Sequence, residues 1–319
     1  MLTMSQGVNF QLSREQREEL ISVFGDRLSR SVPLARYTAA RIGGAADWLL
    51  VVETVDQLID AATQLWAMDI PFHVLGGGSN TLISDLGVRQ LVILNQAKQI
   101  RFELEQKSPI VTAESGANFG LMARQSARRC LSGLEWAAGI PGTVGGAVFG
   151  NAGAHGVDVA GSLQMAEILH RIKRNIVRES WHLGNLKFEY RSSELKRNPG
   201  DAVILTAQFK LHPGNPEEIQ AQMDEYTAYR RSTQPPGASM GSMFKNPPGD
   251  YAGRLIESVG LKGTRIGGAE ISPVHANFFV NHESAIASDV YDLIRLAQET
   301  VLEKCGVELE LEIELIGDW

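Results

Sequence analysis

PFHVLGGGSNTLISD, residues 71–85, reads as a strand that runs into a glycine loop. Before it, VDQLIDAATQLWAMDI (55–70) has the apolar spacing of a helix, and WLLVV (48–52) is strand-like. Strand, helix, strand and glycine loop make an α/β alternation. Gly76, Gly77 and Gly78 let backbone N–H groups converge on an oxyanion, and Ser79 and Asn80 add side-chain donors. The competing reading is a set of turn glycines with no ligand. No GK[ST] follows, which excludes a Walker A loop. No helix opens directly on the loop, which excludes the dinucleotide fingerprint.

A second dense stretch, GLEWAAGIPGTVGGAVFGNAGAHG (133–156), carries Gly139, Pro141, Gly142, Gly145, Gly146, Asn151 and Gly153. It holds no Asp, Glu, Lys or Arg after Glu135, so it is no solvent linker. Small residues at this density suit a backbone pressed against a flat ligand. The alternative is tight helix–sheet packing. A third stretch, PPGASMGSMFKNP (235–247), reads as a small-residue loop and a poor helix. It offers the Ser242 hydroxyl, the Lys245 cation and the Asn246 amide close together, the equipment for holding an anionic substrate and moving a proton to it. The bland alternative is a surface turn.

Composition bounds what this equipment can serve. A hydrophobic share of 44% and a charged share of 21% describe a globular chain with a real core. A net charge of −7 excludes a broadly basic nucleic-acid face. No apolar run approaches a membrane span, and the N-terminus lacks the apolar region of a signal peptide. Cys130 and Cys305 read as buried free thiols, in keeping with a reducing cytoplasm.

The 319 residues divide into an N-terminal helical segment (1–30), a two-subdomain region (31–213) and a C-terminal domain (214–319). Residues 11–30 read as an amphipathic helix capped by Ser13, with Leu28 on its apolar face. Arg124, Arg128 and Arg129 read as a solvated helix face. Tyr190 and Arg191 fall at a turn, where the arginine is either a surface charge or a bidentate clamp for a carboxylate. The chain closes on VELELEIELIGDW, read as a strand with Val307, Leu309, Leu311, Ile313 and Leu315 on one side and Glu308, Glu310, Glu312 and Glu314 on the other. A carboxylate enclosed in a cleft would gain a raised pKa and serve in proton transfer; which of the four does so is open at this point.

RIGGAAD (41–47), LGGGSN (75–80), the 133–156 stretch, FEYRSS (188–193), GSMFKNP (241–247), GLKG (260–263), HANFFVN (275–281) and LELEIELIG (309–317) follow in order over nearly the whole chain. Together they resemble the UDP-N-acetylenolpyruvoylglucosamine reductase family, flavoenzymes of bacterial peptidoglycan synthesis, in its shorter class without an inserted tyrosine loop. The resemblance implies an α+β chain: a two-subdomain FAD-binding fold of the vanillyl-alcohol-oxidase (PCMH) type, then a C-terminal α+β substrate domain. It implies noncovalent FAD against Arg41, the loop Gly76 to Asn80 and the segment Gly139 to Gly153. A covalent flavin link at His155 is not expected, nor is a metal. NADPH is the implied electron donor and UDP-N-acetylglucosamine enolpyruvate the substrate, in a cytoplasmic monomer with no nucleic-acid or membrane partner.

The same resemblance assigns roles. Hydride passes from the reduced flavin to the vinyl CH2 carbon, Arg191 stabilises the enolate that develops beside the carboxylate, and Glu312 is the glutamate beside the same group. Ser242 donates the proton, and Tyr190, Arg230, Lys245 and Asn246 bind the UDP portion. Met240 and Met243 beside the serine, and Glu314 where some members carry a basic residue, depart from the pattern. The alternatives are another FAD-dependent oxidoreductase of the same superfamily and a nucleotide-sugar-binding protein without catalysis.

Overall fold

The structure is a computed structural model that describes residues 11–105, 108–199 and 201–319. Residues 1–10 of the expected N-terminal helical segment lie outside the described residues. α1 (Arg14–Phe24) opens on a capping box: Ser13 Oγ accepts the Gln16 amide at 3.1 Å and Gln16 Oε1 accepts the Ser13 amide at 3.0 Å. It stops at Gly25, whose φ of +51° an L side chain rarely adopts. The helix expected through residue 30 therefore ends at Phe24, and Leu28 opens β1 (Leu28–Pro33) instead of lying on a helix face.

β2 (Ala45–Val52), α2 (Val55–Ala67) and β3 (Phe72–Leu75) bear out the strand–helix–strand reading, and Thr54 caps α2 through the Gln57 amide at 3.2 Å. After the glycine loop come β4 (Thr81–Ile83), β5 (Val88–Asn95), β6 (Ile100–Glu103) and β7 (Ile110–Glu114). α3 (Phe119–Ala127) and α4 (Val144–Phe149) precede β8 (Leu163–Ile172), β9 (Asn175–Trp181) and β10 (Ala202–Lys210). α5 (Pro216–Thr233), β11 (Ala238–Ser242), α6 (Ala252–Ser258), β12 (Arg265–Ile266), β13 (Ala269–Ile271) and β14 (Phe278–Asn281) follow. α7 (Ala287–Cys305) and β15 (Glu314–Ile316) complete the chain.

The described residues form two compact units, one of residues 11–49, 78–92 and 231–319, the other of residues 50–77, 93–105, 108–199 and 201–230. In the second unit an antiparallel sheet runs in the order β9-β8-β10-β7-β6. Its core sets Phe119 5.5 Å from Trp136 and 5.7 Å from Phe209, ring to ring. Burying side chains of this size stabilises by roughly 1.5–3 kcal/mol each. In the first unit the antiparallel order is β11-β14-β13-β12, and α6 and α7 share a core with Met243, Phe244 and Phe279. There β15 pairs in parallel with β4, Glu314 opposite Thr81 and Ile316 opposite Ile83. Helices and sheets in both units make the chain α+β.

The expectations for the closing strand and for the two cysteines change, and the compact units group the chain differently from the expected ranges. The expected consecutive ranges differ from units that interleave, because the last strand pairs with β4 and draws residues 78–92 to the C-terminal part. The boundary expected near 213 falls within the second unit, which keeps α5 as far as Arg230. The closing strand is shorter than its alternation suggested: residues 307–313 lie outside any ladder apart from a single bridge between Leu311 and Phe244. Cys130 and Cys305 are free, as expected, but exposed: one sits in a turn at φ +56°, the other ends α7. Among the described residues no helix is long and apolar enough to cross a membrane.

Candidate functional site

The second unit gathers the glycines with a cationic turn. A Cβ on Gly76 would stand 2.5 Å from Thr143 Oγ1, and one on Gly77 would stand 3.2 Å from Gly142 Cα. The two glycine stretches therefore meet, backbone against backbone at Gly77 and Gly142, with Gly142 at φ +108°. Gly145 is also confined: its N–H donates to Ser115 O at 2.8 Å, and a Cβ would meet Ser115 Cβ at 2.9 Å. Thr143 Oγ1 accepts the Gly146 N–H at 3.3 Å and so caps α4. Both sequence readings of this stretch thus apply, to different glycines. Gly76 and Gly145 are small because protein packs on them, whereas Gly77, Gly146 and Pro141 are exposed.

Asn151 is buried, and its side chain is committed inside the protein. Nδ2 donates to Asp158 Oδ2 and Glu189 O, both at 3.0 Å, and Oδ1 accepts the Ala160 amide at 3.1 Å. It thereby ties the 151–160 turn to the turn of Tyr190 and Arg191, where Glu189 and Ser192 exchange backbone hydrogen bonds. Arg191 sits at φ +54°, and its Nη2 donates to Gly153 O at 2.8 Å. A Cβ on Gly153 would lie 3.1 Å from Arg191 Nη1, so the glycine makes room for the guanidinium. Tyr190 is exposed, its ring centroid 5.4 Å from the Arg191 guanidinium carbon.

The C-terminal end of α5 adds a cluster that sequence reading weighed only in part. His155 stacks on Tyr226 at 4.0 Å and 16°, with Tyr229 edge-on at 5.6 Å. Its Nε2 is buried with no hydrogen-bond partner among the described residues. Burial, then the nearby Arg230 charge, lowers its pKa below the ordinary 6.5, with Glu225 opposing. Burial also lowers the pKa of Arg230, which makes no ion pair among the described residues. Arg230 Cδ stands 2.9 Å from where a Gly139 Cβ would be, so a side chain at 139 would collide with it.

The first unit holds the remaining candidates. Gly78, at φ +53°, accepts the Ala39 N–H on its carbonyl at 2.9 Å and lies so near Tyr37 O that a Cβ would clash. Arg41 is exposed at φ +57° and lines a cavity of about 650 Å³ with Gly237, Asn281, His282 and Ser284. Ser79 precedes Asn80, whose Nδ2 donates to Glu312 O at 3.0 Å; Glu314 N–H returns a bond to Asn80 O at 2.9 Å. The donor expected to face a ligand is thus turned onto the closing segment of the chain.

PPGASMGSMFKNP is not all loop: β11 ends at Ser242, opposite Phe278 in β14, after a register shift at Met240 and Gly241. Gly241 takes φ +82° there. The backbone then changes partner. Glu312 N–H donates to Met243 O and Lys245 N–H to Glu310 O, each at 2.8 Å. Met240 and Met243 are core residues, both buried. Lys245 Nζ is ion-paired with Glu310, and Asn246 Oδ1 accepts the Ala252 amide at 3.1 Å to cap α6. Asn277, which sequence reading passed over inside HANFFVN, is buried and bonds the Phe244 backbone on both its N–H and its carbonyl. The only signal for it was its place in a motif otherwise read as a strand.

A family model for the C-terminal domain of UDP-N-acetylenolpyruvoylglucosamine reductase matches residues 233–316, and one for an FAD binding domain matches residues 46–170. The UDP-N-acetylenolpyruvoylglucosamine reductase of Rubrobacter xylanophilus is 45% identical over 288 residues, 90% of this chain and 94% of that protein. That of Geobacillus thermodenitrificans is 39% identical over 306 residues, 94% of this chain and 97% of its own. Among solved structures, the enzyme of the same name (MurB) from Thermus caldophilus superposes with a TM-score of 0.76 at 38% identity, covering 91% of this chain and 99% of that one.

Proposed function

This chain belongs to the UDP-N-acetylenolpyruvoylglucosamine reductase family, and on that premise we propose how its residues share the work. It is an FAD-dependent oxidoreductase, a UDP-N-acetylmuramate dehydrogenase of peptidoglycan precursor synthesis. UDP-N-acetylglucosamine enolpyruvate is the substrate, and NADPH is the electron donor in our reading. FAD, bound noncovalently, would supply the redox chemistry, a hydride for the vinyl CH2 carbon. The residues present fit such a group: residues 136–154 carry no carboxylate, expose Pro141 and Gly146, and bring glycine backbone to the surface. A diphosphate-bearing ligand meets amide dipoles there and no like charge. In this proposal Gly76, Gly77, Gly78, Ser79, the segment Gly139 to Gly153 and Arg41 would contact it.

Arg191 orients the substrate carboxylate, because a guanidinium anchored through Nη2 on Gly153 O presents a fixed fork. Negative charge that develops next to that carboxylate is stabilised by the Arg191 cation, with Glu312 beside the same group. Ser242 then delivers a proton to the neighbouring carbon. A hydroxyl is a weak acid, so its position must do much of the work. Arg230, half-buried without an ion pair among the described residues, suits the UDP phosphates better than Lys245, which is paired with Glu310. Tyr190 and Asn246 complete the UDP-binding set. The reading also covers the shorter family class and a cytoplasmic monomer, the latter tested by a solution mass of 34.8 kDa.

One observation carries this assignment: the Glu312 N–H bond to Met243 O puts the segments bearing Glu312 and Ser242 on adjacent backbones. An anaerobic titration watched in the flavin band tests it. NADPH bleaches the band, and UDP-N-acetylglucosamine enolpyruvate restores it. Bleaching without recovery would leave a flavin reductase with another acceptor.

A further inference from the structure

Asn277 occupies the point where the Ser242 segment leaves one strand and joins another. β11 runs beside β14 as far as Ser242, and its ladder is broken at Met240 and Gly241. Met243 N–H still reaches the backbone O of Asn277 at 2.8 Å. At Phe244 the side chain takes over from the backbone. Asn277 Oδ1 accepts the Phe244 N–H at 2.9 Å, and Asn277 Nδ2 donates to Phe244 O at 2.8 Å. A carboxamide is the side chain that offers a donor and an acceptor spaced like a peptide, so it stands in for a missing ladder rung. One residue on, Lys245 N–H pairs with Glu310 O, and Glu312 N–H pairs with Met243 O.

Asn277 is itself held: its N–H donates to His275 Nδ1 at 3.2 Å, and Ser272 Oγ accepts the amides of Val274 and His275. The residue is 3% exposed, so neither half of its amide can be replaced by water without rearrangement.

We propose that Asn277 is a positioning residue for the second half-reaction, setting the register between the Ser242 segment and the Glu312 segment through its two bonds to Phe244. It touches neither flavin nor substrate; it fixes where the proton donor and the carboxylate stand. This rests on the reading of Ser242 as proton donor. Displacement of a reacting group by about 1 Å costs on the order of 100-fold in rate, so loss of register is visible in kinetics before it is visible in fold.

The test uses flavin-loaded Asn277→Asp, which keeps the acceptor for Phe244 N–H and turns a carboxylate oxygen on Phe244 O. Flavin reduction by NADPH is expected to stay within about 3-fold of the parent, while reoxidation by UDP-N-acetylglucosamine enolpyruvate falls about 10- to 100-fold. Asn277→Ser, which keeps the backbone bond to Met243, gives the same reading where the aspartate variant does not fold. Equal losses in both half-reactions, normal reoxidation, or failure of both variants to bind flavin would overturn the proposal. Ser242→Ala is run in parallel. Normal reoxidation there overturns the underlying reading and this inference with it. Impaired Ser242→Ala beside unimpaired Asn277→Asp overturns this inference alone.

Discussion

Asn80 donates from Nδ2 to the carbonyl oxygen of Glu312 at 3.0 Å, although 232 positions separate the two residues in the chain. Glu314 N–H completes the contact on Asn80 O. The end of the glycine loop and the backbone of the candidate carboxylate are therefore one piece of structure. In Asn80→Ala the Glu312 carbonyl loses this donor. We expect about 1 kcal/mol of lost stability, seen as a fall of a few degrees in Tm. An unchanged Tm would count against the bond.

Ser242→Ala separates the two half-reactions. Reduction of the flavin by NADPH should be within about 3-fold of the parent, because the role proposed for Ser242 comes only after it. Reoxidation by substrate should fall by roughly 100- to 10,000-fold, the usual reach of a positioned general acid. Stopped-flow traces of each step decide the matter, and equal losses in both would remove Ser242 from the role of donor.

Arg191→Lys keeps the charge and removes the fork. The bond from Nη2 to Gly153 O holds the guanidinium plane, and an ammonium cannot both keep that bond and engage a carboxylate at two points. Reoxidation should slow by at least about 10-fold, with flavin content unchanged. Turnover near the parent rate would show that a point charge suffices.

Gly145→Ala probes whether packing or ligand requires the glycine. The new Cβ would lie 2.9 Å from Ser115 Cβ and 3.0 Å from Ser115 O. Overpacking of this kind costs about 1–3 kcal/mol, so Tm of the flavin-free protein should drop. Were the glycine needed only by the flavin, that Tm would hold and flavin affinity alone would suffer.

His275 and His155 set an acid limit. Burial is the main cause that lowers both below the ordinary 6.5; Lys262 and Arg230, respectively, push the same way. The unfolded chain therefore takes up protons at a pH where the folded protein does not, so stability rises with pH through this window. It is complete above the unfolded pKa and is lost as pH falls from about 6.5 toward the folded values. Protonating His275 on Nδ1 also removes the acceptor of the Asn277 N–H. Tm should fall between about pH 7.5 and about pH 5.5, and His275→Gln should flatten part of that fall. A Tm independent of pH across the window would refute this.

Much of the fold was legible in local sequence. Ser13, Thr54 and Asn118 announce the helices they cap, and each does so through a bond to a backbone amide within three residues. The run after Glu135 could be read as backbone under close approach because glycine, alanine and the absence of charge are local properties. What was not legible depended on partners far away. Alternation in VELELEIELIGDW shows a period of two, but whether a strand forms depends on a neighbour, and only Glu314–Ile316 finds one, in β4.

The sequence by itself determined the local elements, the glycine-rich backbone segments and, through ordered motifs, the family with its flavin chemistry. Tertiary structure alone decided which candidates have their polar groups already committed. Asn80 and Asn151 looked like ligand donors, yet one holds Glu312 O and the other knits two turns together. Asn277 looked like part of a strand, yet it carries the rung between Phe244 and the sheet. The physical reason is that a carboxamide is defined by what faces it. Which groups face it is set by pairings between distant segments, and no window of sequence contains both partners.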